Sequence, residues 1–181
     1  SHTLNNMIEF GGHCRDVAAT LSTDGHPITP RDVTPSPSGM GTIAGEIITA
    51  SLRLQGNVTA TLIQHRFPTM SALGSTMELH GTEGRILCQS FASPRLLPQP
   101  QYFPDGELDR WEPLEPLYPD HYDPAGGADA NDYWFADEYV RALDEDRDHR
   151  CSGAEAVHAL EIMMGIFESA AYRRPVELPQ A

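Results

Sequence analysis

Apolar residues recur every three or four positions near the start of the chain. Phe10, Cys14, Val17 and Leu21 share one stripe, and this spacing predicts a helix over 9–22. Glu9, His13, Asp16 and Thr20 fall within about 60° of one another beside that stripe. Gly11-Gly12 weakens such a helix by about 1 kcal/mol per glycine relative to alanine, and Asp24-Gly25 supplies its stop. Residues 27–42 are rich in Pro, Ser and Gly, and read as a short strand over 28–33 followed by a loop. The pattern then turns to β. Runs 43–54 and 58–67 flank Gln55-Gly56-Asn57, a hairpin turn. Runs 75–80 and 85–90 flank Gly81-Thr82-Glu83-Gly84, a second hairpin. A third pair, 95–103 and 107–112, turns at Pro104-Asp105-Gly106, and its prolines demote it to a sheet edge.

Residues 113–131 form a long loop with Pro113, Pro116, Pro119 and Pro124. A helix follows over 133–144, with Phe135, Tyr139 and Ala142 or Leu143 on one side. The last helix has the clearest start. Ser152 caps it, and Glu155, three residues on, completes a capping box. Val157, Leu160, Met164, Phe167 and Ala171 form its apolar stripe, with the Met163-Met164 pair in the core. His158, Glu161 and Glu168 lie on its polar side. Pro175 ends it, and residues 176–178 add a short strand. A helix, several antiparallel strands and closing helices make an α+β fold: one domain over 1–181, a largely antiparallel open sheet with helices packed on one face.

Composition narrows the function. The 181 residues suit one core, and no run approaches the roughly 20 apolar residues that span a bilayer. The net charge is −14, all 12 basic residues are arginine, and the chain has no lysine. That removes P-loop and Schiff-base chemistry from these residues. The negative charge argues against nucleic acid and membrane surfaces as partners. Residues 101–148 hold 15 of the 26 acids against three arginines, which reads as a solvated face. Three separated cysteines, Cys14, Cys88 and Cys151, suit a reducing compartment, hence the cytoplasm. Asn57-Val58-Thr59 reads as a turn rather than a glycosylation site. Ser1-His2 reads as a tag scar before an abrupt start, as in an excised piece of a longer protein.

Glu9, His13 and Asp16 are the sharpest cluster. A carboxylate one helical turn from an imidazole fixes its tautomer and stabilises the imidazolium, as a general base requires. The bland alternative is a histidine bonded to Asp16 or a loop carbonyl. A metal site built from the same three side chains is a third reading, weakened by the lack of a second histidine four positions away. Asp120-His121-Tyr122-Asp123 forms a second cluster, where His121 and Tyr122 suit contacts to a sugar; the alternative is an exposed acidic loop. His65-Arg66 reads as exposed, and His26, His80, His149 and His158 show no ligand spacing. No G-x-G-x-x-G follows a strand and no βαβ alternation occurs, so no dinucleotide-binding half lies in these residues.

Glu9-Phe10-Gly11-Gly12-His13-Cys14-Arg15-Asp16 resembles the D-x-G-x-H-x-x-D segment of the Gfo/Idh/MocA oxidoreductases. Residues 77–86, with Gly81 and Gly84, resemble that family's G-x-x-G hairpin. Residues 152–179, ending Arg174-Pro175-Val176-Glu177-Leu178-Pro179, resemble its closing helix and tail. The resemblance runs the length of the chain in the family's order. It implies a C-terminal domain that supplies substrate contacts and, through its open sheet face, homo-oligomer contacts. It also implies a missing N-terminal Rossmann domain carrying NAD or NADP; this chain alone would bind no cofactor and be inactive. The implied substrate is a sugar, inositol or related polyol, oxidised or reduced at a hydroxyl or carbonyl. His13 matches the family's catalytic histidine, and Asp16 the aspartate after it. Glu9 stands where the family carries aspartate, and Asn5-Asn6 replaces its glycine run. The family's catalytic lysine is not in this chain. Two other expectations compete: a non-catalytic binding or assembly module of the same fold, and a metal-dependent sugar isomerase or hydrolase using Glu9, His13 and Asp16.

Overall fold

A computed structural model describes residues 2–37, 39, 41–65, 75–89, 92–98, 110–115, 118, 121–127 and 129–179. In chain order the elements are α1 (His2–Gly11), β1 (Cys14–Thr23), β2 (His26–Pro27), β3 (Thr34–Pro35), β4 (Thr42–Ile43), β5 (Ile47–Leu54), β6 (Thr59–His65), β7 (Thr76–His80), β8 (Arg85–Gln89), β9 (Arg95–Leu97), β10 (Glu112–Pro113), α2 (Ala130–Asp144), α3 (Gly153–Tyr172) and β11 (Val176–Glu177). They form two compact units, 1–67 with 147–181, and 68–146.

In the first unit the predicted helix over 9–22 is corrected to a helix followed by a strand. α1 ends where Gly12 takes φ +78° and its N–H reaches the Ile8 carbonyl at 2.8 Å. This left-handed stop suits glycine. β1 then runs through Cys14, Val17 and Leu21, all buried. The helix-like step from Cys14 to Val17 comes from a register shift: Cys14 pairs with Leu54 and Asp16 with Arg53, so Arg15 is an extra residue. A bulge of this kind puts two residues three apart on one face of a strand.

The sheet runs β11-β1-β5-β6, with β2 on the far end of β1, and every pairing is antiparallel. Leu4 and Ile8 of α1 and Ala159, Ile162, Ile166 and Ala170 of α3 share one core with Val17, Leu21, Ala50, Leu52 and Leu54. The reverse face is uncovered. Its cross-strand rows are Ala18–Ser51–Thr61, Thr20–Thr49–Ile63 and Ser22–Ile47–His65, and the residues from β5 and β6 in them are all exposed. An antiparallel sheet with helices on one face is the predicted fold class.

α3 turns part of its predicted stripe to the core: Phe167 is buried, and Ala171 and Met163 pack against the core as expected. Val157, Leu160 and Met164 are exposed, and so Met164 is not core. The packed side carries Ala159, Ile162, Gly165, Ile166, Ser169 and Ala170. A Cβ on Gly165 would sit 2.8 Å from Leu178 and 3.0 Å from Val17, so helix and strand meet at a distance only small residues allow. Ser169 adds a polar reason: its hydroxyl accepts the Ala19 N–H at 2.9 Å, on the edge of β1 between β11 and β2. Burying that backbone donor unpaired would cost stability.

Two smaller expectations are also corrected. Residues 28–33 form no strand, because the Asp32 carboxylate accepts the Thr29 N–H at 2.7 Å and closes a 3-10 turn at Pro30–Asp32. The first strand of the long hairpin starts at Ile47 rather than 43, after Gly45 at φ +70°.

The second unit holds the sheet β10-β9-β8-β7 and α2. The β7–β8 hairpin pairs Thr76 through His80 with Gln89 through Arg85, closing through Gly81 and Gly84 as predicted. Gly84 is required there, since a Cβ would lie 2.5 Å from the Leu97 carbonyl oxygen. Glu112 pairs with Leu96, so the ends of the third predicted hairpin meet. Its proposed turn at Pro104-Asp105-Gly106 lies outside the described residues. α2 starts three residues earlier than expected because Asp129 caps it, accepting the Asn131 N–H at 2.7 Å.

Candidate functional site

His13 stands between α1 and β1, and three elements fix it. Its Nε2 lies 2.9 Å from Oε1 of Glu155, and both side chains are partly exposed, at 28% and 30%. Its ring stacks on His158 at a centroid distance of 4.6 Å and an interplanar angle of 29°. His158 is buried. The Cys14 N–H donates to its Nε2 at 2.9 Å, and its Nδ1 lies 3.2 Å from Oε2 of Glu161. A nitrogen that accepts carries no proton, so the ring proton belongs on Nδ1, donated to Glu161.

The cluster therefore consists of two stacked imidazoles, each against its own carboxylate. Both carboxylates and the lower ring come from the first turns of α3. Glu155 was expected to bend back in a capping box. Half of that box forms: Ser152 Oγ accepts the Glu155 N–H at 3.3 Å. The carboxylate instead goes to His13.

The expected triad of Glu9, His13 and Asp16 on one helix face does not assemble, because the chain switches from helix to strand inside it. Glu9, near the end of α1, lies 3.5 Å from Arg150. Asp16, on β1, is bound by Arg53 of the neighbouring strand. The three side chains thus face three different partners, which removes the geometry of the metal-dependent reading. Among the described residues no group of three His, Cys, Asp or Glu side chains is placed to hold a metal ion.

His121 and Tyr122 belong to the second unit. His121 is exposed. Tyr122 stacks on Tyr118 at 4.9 Å and meets Tyr133 edge-on at 5.1 Å. Asp123 accepts the Ala125 N–H at 2.9 Å, capping a short turn, while Asp120 lies outside the described residues.

Beside His13, the Cys14 thiol is buried and bonds the Asp16 carbonyl oxygen at 3.3 Å. Burial pushes its pKa up to about 11, so it is a packed thiol and not a nucleophile. Sequence reasoning missed Glu155 and His158 as neighbours of His13. The only local signal was the three-residue step from His158 to Glu161, which puts both on one side of a helix.

No protein-family model and no curated protein matches the chain. Solved structures do. A levoglucosan dehydrogenase in complex with NADH and levoglucosan is 19% identical with a TM-score of 0.70, over 99% of this chain and 49% of that one. An NAD-binding oxidoreductase from Klebsiella pneumoniae is 17% identical with a TM-score of 0.69, over 99% and 49%. An oxidoreductase domain protein from Kribbella flavida is 15% identical with a TM-score of 0.69, over 99% and 50%. The chain thus spans about half the length of these structures. The likeness establishes the fold alone: this α+β arrangement is shared with about half of each of those structures.

Proposed function

We propose that this chain is the substrate-side and assembly half of an NAD(P)-dependent oxidoreductase that acts on a hydroxyl or carbonyl of a sugar, inositol or related polyol. The observation that carries this reading is coverage. Nearly the whole chain superposes on about half of dehydrogenases that include one seen with NADH and a sugar-derived substrate. A second half of comparable length would complete it.

The residues present do not fit a dinucleotide. The described sheets are antiparallel throughout, with no parallel βαβ crossover and no glycine-rich strand-to-helix turn. In this reading NAD or NADP belongs to the companion Rossmann half. Within this chain, the His13–Glu155 pair suits proton handling. Glu155 holds Nε2, leaving Nδ1 as the nitrogen that takes a hydroxyl proton, and its charge stabilises the resulting imidazolium. His121 and Tyr122 are proposed as sugar contacts. Asp16, held by Arg53, keeps at most a supporting role, and Glu9 is not in the proton path.

A second reading rests on one observation: His13 lies flat on a buried ring that ties α3 to β1. By that reading His13 is a strut, and the domain is a binding or assembly module. The two separate by changing His13 to Asn in protein that carries both halves. Turnover falling at least 100-fold, with a melting temperature lowered by no more than the few degrees that loss of the exposed pair costs, supports proton handling. Unchanged turnover with a lowered melting temperature supports the strut. Assembly through the open sheet face, as a homodimer or larger, belongs to both readings.

A further inference from the structure

The outer torsion of a histidine is broad, so one contact in the plane of the ring does not fix that plane. Glu155 gives His13 one such contact, at Nε2. The backbone around His13 is already held. Gly12 takes φ +78°, the Gln55 N–H donates to the His13 carbonyl at 2.9 Å, and the Cys14 N–H donates to His158 at 2.9 Å. What remains is the tilt of the ring, and His158 supplies that contact. Its ring lies against the face of His13 at 4.6 Å and 29°. With 1% of its surface exposed, His158 is packed in place and cannot swing aside.

The support is also arranged to stay neutral. Its Nε2 accepts from Cys14 and its Nδ1 donates to Glu161, so one proton satisfies both nitrogens. A second proton, on Nε2, would set donor against donor in a buried place. An imidazole that takes a proton from a hydroxyl becomes a cation. A neutral ring beneath it tolerates that charge, whereas a second imidazolium would repel it. The charged groups bonded to the two rings are Glu155 and Glu161, both from α3. Glu9 of α1 and Asp16 of β1 bond Arg150 and Arg53 instead.

Resting on the function proposed above, we infer that His158 is the positioning residue for His13: its buried ring sets the plane in which His13 presents Nδ1, and Glu161 fixes the tautomer of that support. The buried ring then has a task in turnover besides tying α3 to β1.

Two substitutions divide the two tasks. His158→Gln keeps an acceptor for the Cys14 N–H and removes the ring, while His158→Phe keeps a ring and removes the acceptor. In this chain, carbon relaxation at the His13 Cε1–H reads the order of its ring. That order should fall in the Gln variant and hold in the Phe variant, while the melting temperature falls further in the Phe variant. A residue with a structural role alone gives both losses in the same sequence. Long-range proton–nitrogen spectra should place the His158 proton on Nδ1. In protein carrying both halves, His158→Gln should lower kcat by about 10- to 100-fold with KM little changed. It should lower kcat no further when His13→Asn is also present.

Unchanged ring order or unchanged kcat in the Gln variant overturns the proposal. So does a proton on His158 Nε2, or an equal loss of kcat in the His13→Asn background. Ring order that responds as expected, while His13→Asn alone leaves turnover intact, overturns instead the function proposed above, and with it any task for the support in turnover.

Discussion

Glu155 and His13 meet at 2.9 Å although 142 positions separate them in the chain. The contact exists because two backbone devices converge. Gly12 stops α1 and turns His13 toward α3, and the Ser152 cap aims the first turn of α3 at the same point. Beneath it, His158 takes the Cys14 N–H, which pins the first residue of β1 to the helix.

These two layers differ in what their loss costs. His158→Phe keeps a ring but leaves the Cys14 N–H buried without an acceptor, for about 1–3 kcal/mol. Glu155→Ala removes a partly exposed pair, for about 0.5–1 kcal/mol. Urea unfolding of both variants should show the larger loss at His158. The reverse order would mean that the buried ring is not the anchor of the cluster.

Close approach of α3 to the sheet gives a contrast between two glycines. Gly165→Val drives new carbon into Leu178 and Val17, and should cost about 1–3 kcal/mol even after the gain in helix propensity. Gly153, at the start of the same helix, has open space around it, and Gly153→Ala should stabilise by about 0.5 kcal/mol. Thermal melts of the two variants should move in opposite directions.

The thiols should separate by reactivity. Cys151 is exposed, whereas burial raises the pKa of both Cys88 and Cys14. With a pKa of about 11, Cys14 is about one-thousandth thiolate at pH 8. Titration with a chromogenic disulfide should label Cys151 first and Cys14 only on unfolding. The sign for stability follows. Above pH 9 the unfolded thiol loses its proton while the folded one keeps it, so the unfolded state binds fewer protons. This contribution to stability therefore falls as pH rises from 9.0 toward about 11. Cys14→Ser should flatten that decline in a pH series of urea midpoints.

The uncovered sheet face should be the self-association surface. Thr49 lies in the middle row between Thr20 and Ile63, so Thr49→Arg puts a charge at its centre. Light scattering at micromolar concentration should show the parent as a dimer or larger and the variant as a monomer. A monomeric parent would remove the assembly part of the proposal.

Features encoded locally were legible in the sequence. The β7–β8 hairpin follows from alternation and the Gly81–Gly84 turn, and the start of α3 from Ser152. Features set by long-range packing were not. The bulge at Arg15 makes Cys14 and Val17 imitate a helix, since a strand with one extra residue also buries positions three apart. The stripe on α3 was legible only in part: Phe167 is buried as expected, while Val157, Leu160 and Met164 stay exposed because Gly165 and Ser169 set which side fits closely against β1. The partner of His13 was hidden for the same reason, because a capping residue gives no sign that its carboxylate is needed elsewhere.

In the proposed function these residues form one half of a two-body oxidoreductase whose dinucleotide sits on the other. NADH fluorescence titrated with the chain alone, and with protein that also carries the companion half, tests it most directly. NADH emission should not change with the chain alone, and should show saturable enhancement, with polyol-dependent reduction of NAD or NADP, once both halves are present. Tight, saturable NADH binding by the chain alone would contradict it.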